Sequence, residues 1–458
     1  MAINFKEEVL KRKDEIINDL KGLIKINSEL TTFDPNRVGA PFGEGNKEAL
    51  DYMMRLGAKD GFETLNVDGY AGHIELGKQN EFVGIIGHLD VVPAGSGWTY
   101  PPYGAEIHND KMYGRGTEDD KGPTIAAYYA MKILKELNVD LSKRVKLILG
   151  VDEESGWRCV NHYFKRYPEV PVSGFIPDAD FPLIYAEKGI VRINIEGQFD
   201  NSTLLSLNGG LRDNMVPDKA IAKVNSKDPK IVDHFNSFIK KHKVTGKISS
   251  DKNIYTIEID GISAHGSTPE FGINAITLLS DFLVSINVIN NITKTISDFL
   301  SEDTRGKKLG INYHDEEMGD LTVNLGVIST ALDKFTMVLN VRYPNGVVFE
   351  KFYQHLITLF SKFSVSYNHH QKLLYNDPKS DLVNTLMGVY RKHTNDLDAQ
   401  PVTIGGGTFA RAMPNVVAFG PHFPKKPSFI HQKDEFIDLD DFLLATIIYT
   451  EALYELAK

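Results

Sequence analysis

Four short stretches of this chain, with one distant histidine, gather the residue types that hold metal ions or move protons. Gly87-His88-Leu89-Asp90 places an imidazole two residues from a carboxylate. Neutral imidazole is a common metal ligand, and a nearby carboxylate can orient its other nitrogen. Tyr113-Gly-Arg-Gly-Thr-Glu-Asp-Asp-Lys-Gly122 brings adjacent carboxylates into a glycine-flanked turn just ahead of a helix pattern, where the alternative reading is a charged helix cap. Asp152-Glu153-Glu154-Ser-Gly156 follows an apolar run. Neighbouring carboxylates repel unless a cation neutralises them or one takes up a proton, so the pair suits one metal ligand beside one general base. Pro177-Asp178-Ala-Asp180 and, far along the chain, His431 in Ser-Phe-Ile-His-Gln-Lys-Asp-Glu-Phe complete the set. Taken singly, each has a plain reading as a turn, a surface pair or a structural histidine. Taken together, they offer two imidazoles and at least three carboxylates, with no cysteine needed. That set suits zinc or manganese, and bridging carboxylates suit two ions about 3.5–4 Å apart working on the hydrolysis of an amide.

Such residues need a scaffold that delivers them to one edge. Phe82–Ile86, Val145–Leu149 and Gly174–Ile176 are short apolar runs with the look of buried strands, and helix patterns at Asn46–Leu56 and Thr124–Leu137 alternate with them. Strand–helix–strand order with apolar strands predicts a mostly parallel sheet with helices on both faces. Sites in such sheets form beyond the carboxyl ends of the strands, which is where three of the stretches begin. From about Ile190 the texture changes. Val191–Ile195 and Tyr255–Ile259 alternate apolar and polar residues as half-buried antiparallel strands do, with further strands expected at Leu321–Leu325 and Val338–Val341 and helices at Asn274–Ile286 and Phe349–Phe363. The first style resumes near Asp381, with a helix to His393, a strand at Val416–Phe419 and a closing helix at Asp440–Leu456. The expected architecture is an α/β domain over residues 1–187 and 377–458, interrupted by an inserted α+β domain over residues 188–376.

Composition narrows the function classes. The chain has 458 residues, 42% hydrophobic and 24% charged, ample for a packed core and unlike a disordered or collagen-like chain. With 51 Lys+Arg against 61 Asp+Glu it is acidic, which argues against a nucleic-acid surface. Its single cysteine, Cys159, cannot form an internal disulfide and points to a reducing compartment. The N-terminal stretch is interrupted by charges throughout and reads as an amphipathic helix through Phe5, Val9, Ile16, Leu20 and Leu23, without a signal-peptide core. No apolar run reaches the length of a membrane span. A cytoplasmic protein is expected.

Gly87-His-Leu-Asp-Val-Val-Pro93, Gly114-Arg-Gly-Thr-Glu-Asp-Asp-Lys-Gly122 and Asp152-Glu-Glu-Ser-Gly156 together resemble the three signature stretches of the aminoacylase/carboxypeptidase G family of co-catalytic metallopeptidases, and most nearly its PepV-type bacterial dipeptidases, some of them manganese-dependent. The motifs occur in order and the correspondence spans essentially the whole chain. The resemblance implies two divalent ions, zinc or manganese, with His88 and Asp178 on one, Glu154 and His431 on the other, and Asp119 bridging; spacing does not by itself exclude Asp120 as the bridge. It implies Asp90 as the residue orienting His88, and Glu153 as general base. In the inserted domain, Gly261-Ile-Ser-Ala-His265-Gly-Ser-Thr-Pro269 resembles the lid motif whose histidine stabilises the oxyanion. Asn214-Met-Val-Pro217 resembles the loop that reaches the substrate, and Arg342 matches the arginine that grips its free carboxylate. Gly405-Gly-Gly-Thr-Phe-Ala-Arg411, with Gly406 and Arg411, looks like the glycine-rich substrate loop.

By the same resemblance, the long insertion implies a monomer in which His265 acts within its own chain on a small dipeptide, with neither nucleic acid nor membrane as partner. Two other readings stand beside the dipeptidase: an N-acyl amino acid deacylase or desuccinylase with the same two-metal chemistry, and a non-catalytic metal-binding scaffold. The presence of Glu153 and His265, neither needed merely to hold metal, weighs against the scaffold.

Overall fold

The run Phe82–His88 is buried at every position, as a strand covered on both faces must be. It lies inside a nine-stranded mixed sheet in the computed structural model, which describes residues 3–458. The strand order is Glu63–Val67, Ala71–Leu76, Arg144–Gly150, Phe82–His88, Ser173–Ile176, Val416–Ala418, Ile184–Glu187 and Leu374–Tyr375, with Val402–Ile404 pairing beside Ile184–Glu187. Parallel pairing occupies the middle, from Arg144–Gly150 through Phe82–His88 and Ser173–Ile176 to Val416–Ala418. Antiparallel pairing extends it, through the hairpin Glu63–Leu76 on one side and Ile184–Glu187 on the other. The hairpin was not expected: Glu63–Val67 offers only Leu65 and Val67 as apolar residues, too short a pattern to mark a strand.

Helices cover both faces, which the strand parity makes visible. A Cβ on Gly57 of the Glu44–Lys59 helix would touch Ile74, whereas the adjacent His73 bonds through Nδ1 to the Tyr163 hydroxyl of the Arg158–Arg166 helix at 2.8 Å. Successive strand residues face opposite ways, so these two helices lie on opposite faces. Helices Lys121–Glu136 and Leu439–Ala457 pack on each other and on the central strands. Gly87 permits this closeness: a Cβ there would fall 2.1 Å from Thr124 Oγ1 and 3.0 Å from Asp120 Oδ2.

The N-terminal amphipathic pattern forms two helices, Phe5–Lys11 and Lys13–Ile24, rather than one. At Arg12 (φ −108°, ψ 8°) the backbone leaves the helical region. Its guanidinium takes the Glu8 carbonyl at 2.7 Å, and its own amide turns to the Val9 carbonyl.

The chain divides into two units. One runs to Ala186 and resumes over Tyr375–Val402 and Thr408–Lys458; the other comprises Glu187–Leu374 and Thr403–Gly407. The second unit is built on an eight-stranded sheet ordered Thr245–Asp251, Ile254–Asp260, Lys219–Asn225, Leu204–Gly209, Thr322–Ala331, Lys334–Tyr343, Gly189–Gln198 and Ser364–Gln371. Its pairings are antiparallel. Val191, Ile193 and Ile195, with Ile257 and Ile259, pack against Ile276, Leu279 and Phe282 of helix Ala275–Ser285 and Leu356 of helix Phe349–Leu359 in one core. The alternate residues Arg192 and Asn194 turn to the other face, where a groove of about 690 Å³ is also lined by Asn340 and Arg342. Among the described residues no helix is long and apolar enough to cross a membrane.

Candidate metal centre and active site

Three neighbouring parallel strands end at the same edge, and each hands over a functional residue. His88 closes Phe82–His88, Glu153 and Glu154 sit in the turn after Arg144–Gly150, and Asp178 follows Ser173–Ile176. This is the carboxyl-end edge where open α/β sheets place their sites. Asp119 enters from the loop before helix Lys121–Glu136, and His431 from the segment beyond Val416–Ala418.

Asp119 lies between the two imidazoles. Its Oδ1 is 2.9 Å from His88 Nε2, and its Oδ2 is 3.0 Å from His431 Nε2. His431 Nε2 also reaches Glu154 Oε1 at 3.1 Å, and His88 Nε2 has Asp178 Oδ2 at 3.7 Å. One donor atom from each of His88, Asp119 and Glu154 lies within 4.8 Å of the others. His88 Nδ1 meets the Asp90 carbonyl at 2.9 Å. A carbonyl can only accept, so Nδ1 carries a proton; Nε2, held against the Asp119 carboxylate, carries one too in the metal-free site, and is the atom that would ligate a metal on losing it.

Asp120 stands outside the His88–Asp119–Glu154 group; only its Oδ2 is engaged, and its buried Oδ1 meets no hydrogen-bond partner among the described residues. Its Oδ2 accepts from the His88 amide at 2.9 Å and the Thr124 hydroxyl at 3.0 Å. It is fully buried at the foot of the helix. Asp119, with one oxygen towards each histidine, has the bridging disposition.

Asp90 meets both His88 and the turn that carries Glu153 and Glu154. Its carboxylate stands 3.6 Å from His88 Nδ1, while its two oxygens accept the backbone amides of Glu153 at 3.0 Å and Glu154 at 3.1 Å. Asp90 thus orients His88 through its carbonyl and holds the Glu153–Glu154 turn through its side chain.

The electrostatics are those of a site built for cations. Burial raises the Glu153 carboxyl well above its usual range; His88 opposes this, and Asp178 and Glu154 add to it. Burial, with the neighbouring Asp119, pushes Asp178 up to about 7. Bonds to Asp119 and Glu154 raise His431 to about 10. Burial would raise Asp119 too, but His431 and His88 hold it below its ordinary value. Packing Asp119, Glu153, Glu154 and Asp178 this closely calls for compensating positive charge, and in their absence protons supply it. The donor set of imidazole and carboxylate therefore fits divalent zinc or manganese.

Three supporting residues were not anticipated. Trp157 donates its indole N–H to Glu153 Oε1 at 3.2 Å. Glu118 accepts from the Phe429 amide at 3.1 Å and pairs with His422 at 3.0 Å. Glu435, buried, pairs with buried Arg115 and accepts the amides of Gly116 and Glu118 at 3.0 Å and Asp119 at 3.3 Å. All three stand within or beside the singled-out stretches, but their partners lie across the fold or across a turn, and no spacing in the chain reports that.

The second unit collects the other candidates except Arg411. An isolated bridge joins Met215 to His265, and the Gly266 amide donates to the Asn214 carbonyl at 2.7 Å, so the Asn214 and His265 loops are tied side by side. Arg342 is buried, with Nε on Asn340 Oδ1 at 3.1 Å and Nη1 on the Gly405 carbonyl. Asn340 in turn donates to Asp213 Oδ2 at 2.9 Å, and Asp213 pairs with Arg192 at 2.6 Å. Gly406 belongs to this unit, whereas Arg411 sits in the short helix Phe409–Ala412 of the first unit.

The chain is similar to known peptidases. The model for peptidase family M20/M25/M40 matches residues 84–455. YtjP, a candidate dipeptidase of Bacillus subtilis strain 168, is 41% identical over 473 residues, covering 100% of both chains. A candidate dipeptidase of Staphylococcus epidermidis is 41% identical over 468 residues, covering 99% of both. Among solved structures, the metallo-carboxypeptidase Sso-CP2 of Sulfolobus solfataricus superposes with a TM-score of 0.59 at 17% identity, over 97% of this chain and 99% of that one. Human carnosine dipeptidase 1 gives 0.56 at 16% identity, over 98% of each. At such identities the structures share the fold alone.

Proposed function

The chain belongs to peptidase family M20/M25/M40 and is a peptide hydrolase, and from that premise we propose that it cleaves the single peptide bond of unmodified dipeptides with the help of two divalent ions. The observation that carries this reading is Asp119, whose oxygens face His88 and His431 separately while Asp178 and Glu154 attend one histidine each. His88 and Asp178 would hold one ion, His431 and Glu154 the other, and Asp119 both. Zinc or manganese held by these residues would supply Lewis acidity and lower the pKa of bound water.

The remaining work falls to the chain's own groups. Glu153, half-buried beside this cluster and held at Oε1 by Trp157, takes the proton from the attacking water and passes it to the leaving amine. His265 donates to the oxyanion of the tetrahedral intermediate. Arg342 grips the substrate carboxylate, a task that a guanidinium fixed by Asn340 and Gly405 meets with little reorganisation. Asn214, whose loop is tied to that of His265, binds the substrate from the same side. Gly406 and Arg411 are the remaining substrate contacts of this reading. The first unit is then the catalytic domain and the inserted unit the lid, and the size of that insertion supports a monomer with His265 acting in its own chain.

Metal-stripped protein reloaded with manganese or zinc, and offered dipeptides, tripeptides and N-acetyl amino acids, tests this. Turnover of dipeptides alone is the expected result. Turnover of N-acetyl amino acids instead would make it a deacylase, and absence of turnover with either metal would overturn the reading.

A further inference from the structure

An imidazole donates to an oxyanion only from a nitrogen that carries a proton, and neutral histidine has one such nitrogen. Which one is set by the partner of the other. In the second unit, His265 Nδ1 lies 2.6 Å from Ser267 Oγ and 3.4 Å from the Ser267 backbone nitrogen. A backbone amide can only donate, so Nδ1 is an acceptor there. The serine hydroxyl, free to act either way, meets the same lone pair and donates as well. The alternative tautomer would direct an Nδ1 proton at the amide proton of Ser267.

We infer that Ser267 sets the tautomer of His265, holding Nδ1 as an acceptor and keeping the ring proton on Nε2, the atom that donates to the oxyanion. This rests on the reading of His265 as the oxyanion donor. Ser267 is thereby a positioning residue for the reaction.

Its surroundings suit that task. The Thr268 amide donates to the His265 carbonyl at 3.0 Å, closing a tight turn that brings serine and ring together. Gly405 packs against the serine so closely that a Cβ there would fall 2.9 Å from Ser267 Cβ, and the Gly405 carbonyl accepts from Arg342. The residue that grips the substrate carboxylate and the residue that orients the oxyanion donor thus bear on the same glycine. Partial shielding and the charge of Arg342 hold the imidazole below its ordinary pKa, which keeps it neutral, the state in which the tautomer matters.

The experiment is nitrogen NMR on the full-length, zinc-loaded protein labelled at the histidine imidazoles, with His265 assigned by its loss in H265Q. Near pH 8 the expected spectrum has a protonated Nε2 and an unprotonated Nδ1, and S267A shifts His265 towards a mixture of tautomers. S267A should also lower kcat roughly tenfold with KM little changed, and S267T, which keeps the hydroxyl, should restore most of it. A protonated Nδ1 in the unsubstituted protein, or a His265 spectrum that S267A leaves unmoved, overturns the inference. The underlying reading is judged separately by H265A: unchanged kcat there removes His265 as oxyanion donor, whatever the NMR spectrum says of its tautomer.

Discussion

Arg115 and Glu435 stand 320 positions apart in the chain and form a buried ion pair beneath the candidate metal centre. The other oxygen of Glu435 accepts three backbone amides of the loop that leads to Asp119, those of Gly116, Glu118 and Asp119. The carboxylate that faces both histidines is therefore held from behind by another carboxylate, which touches neither.

Removing Glu435 should loosen that loop and strand a buried guanidinium. E435A is expected to cost about 3–5 kcal/mol of stability and to lower metal content. E435Q, which keeps an acceptor for the amides but no charge for Arg115, should fall between. Thermal unfolding and metal analysis of the purified variants check this, and an E435A protein with full metal content and unchanged melting would refute it.

Glu153 carries the proton and holds no ion in the proposed mechanism. E153A should keep near-normal metal content and KM while kcat falls by about two to four powers of ten. Loss of metal in E153A would make it a ligand, and retained turnover would dismiss it as the base.

Trp157 fixes one oxygen of Glu153, so W157F, which keeps a ring but removes the N–H, should lower kcat roughly tenfold, the worth of one hydrogen bond to a charged group. Metal content should stay as it is. A change confined to KM would assign the indole to substrate contact instead.

Arg342 should act through binding. R342A is expected to lower kcat/KM by about two powers of ten or more, in keeping with the loss of one partner from a buried charged pair. The loss should be smaller for a dipeptide amide, which has no carboxylate to grip. Equal losses on acid and amide would contradict the assignment.

Metal-free protein should grow less stable as pH rises from about 6 to 9. His431, raised from 6.5 to about 10 by its carboxylate partners, contributes stability that is complete below 6.5 and lost on the way to 10. Asp178, raised from 3.8 to about 7 by burial and Asp119, has already shed most of its contribution by pH 7, in the same direction. Bound cations replace those protons, so the melting gain on reloading should be larger near pH 8 than near pH 6. Scanning calorimetry of stripped and reloaded protein measures both slopes; stability that rises with pH in the stripped protein would refute the argument.

Much of the centre was legible because consecutive buried strands announce their own ends. His88, Glu153, Glu154 and Asp178 each follow an apolar run, and a parallel sheet brings such ends to one edge. The choice between Asp119 and Asp120 was not legible, since two adjacent aspartates have identical chemistry. What distinguishes them is that the His88 amide and the Thr124 hydroxyl engage Asp120 Oδ2, from a strand and a helix that only the fold brings near, while Asp119 faces both histidines. Glu435 stands four residues from His431, yet its meaning lies in Arg115. The break at Arg12 was hidden for a similar reason: the periodicity runs through it, and the competing bond is made by its own side chain.

Asp90 offers a last consequence. Its carbonyl sets the ring of His88, and its two carboxylate oxygens hold the amides of Glu153 and Glu154. The proposed ligand His88, the proposed base Glu153 and the proposed ligand Glu154 thus depend on one buried residue. Such a position is pleiotropic: a mutation there disturbs all three together.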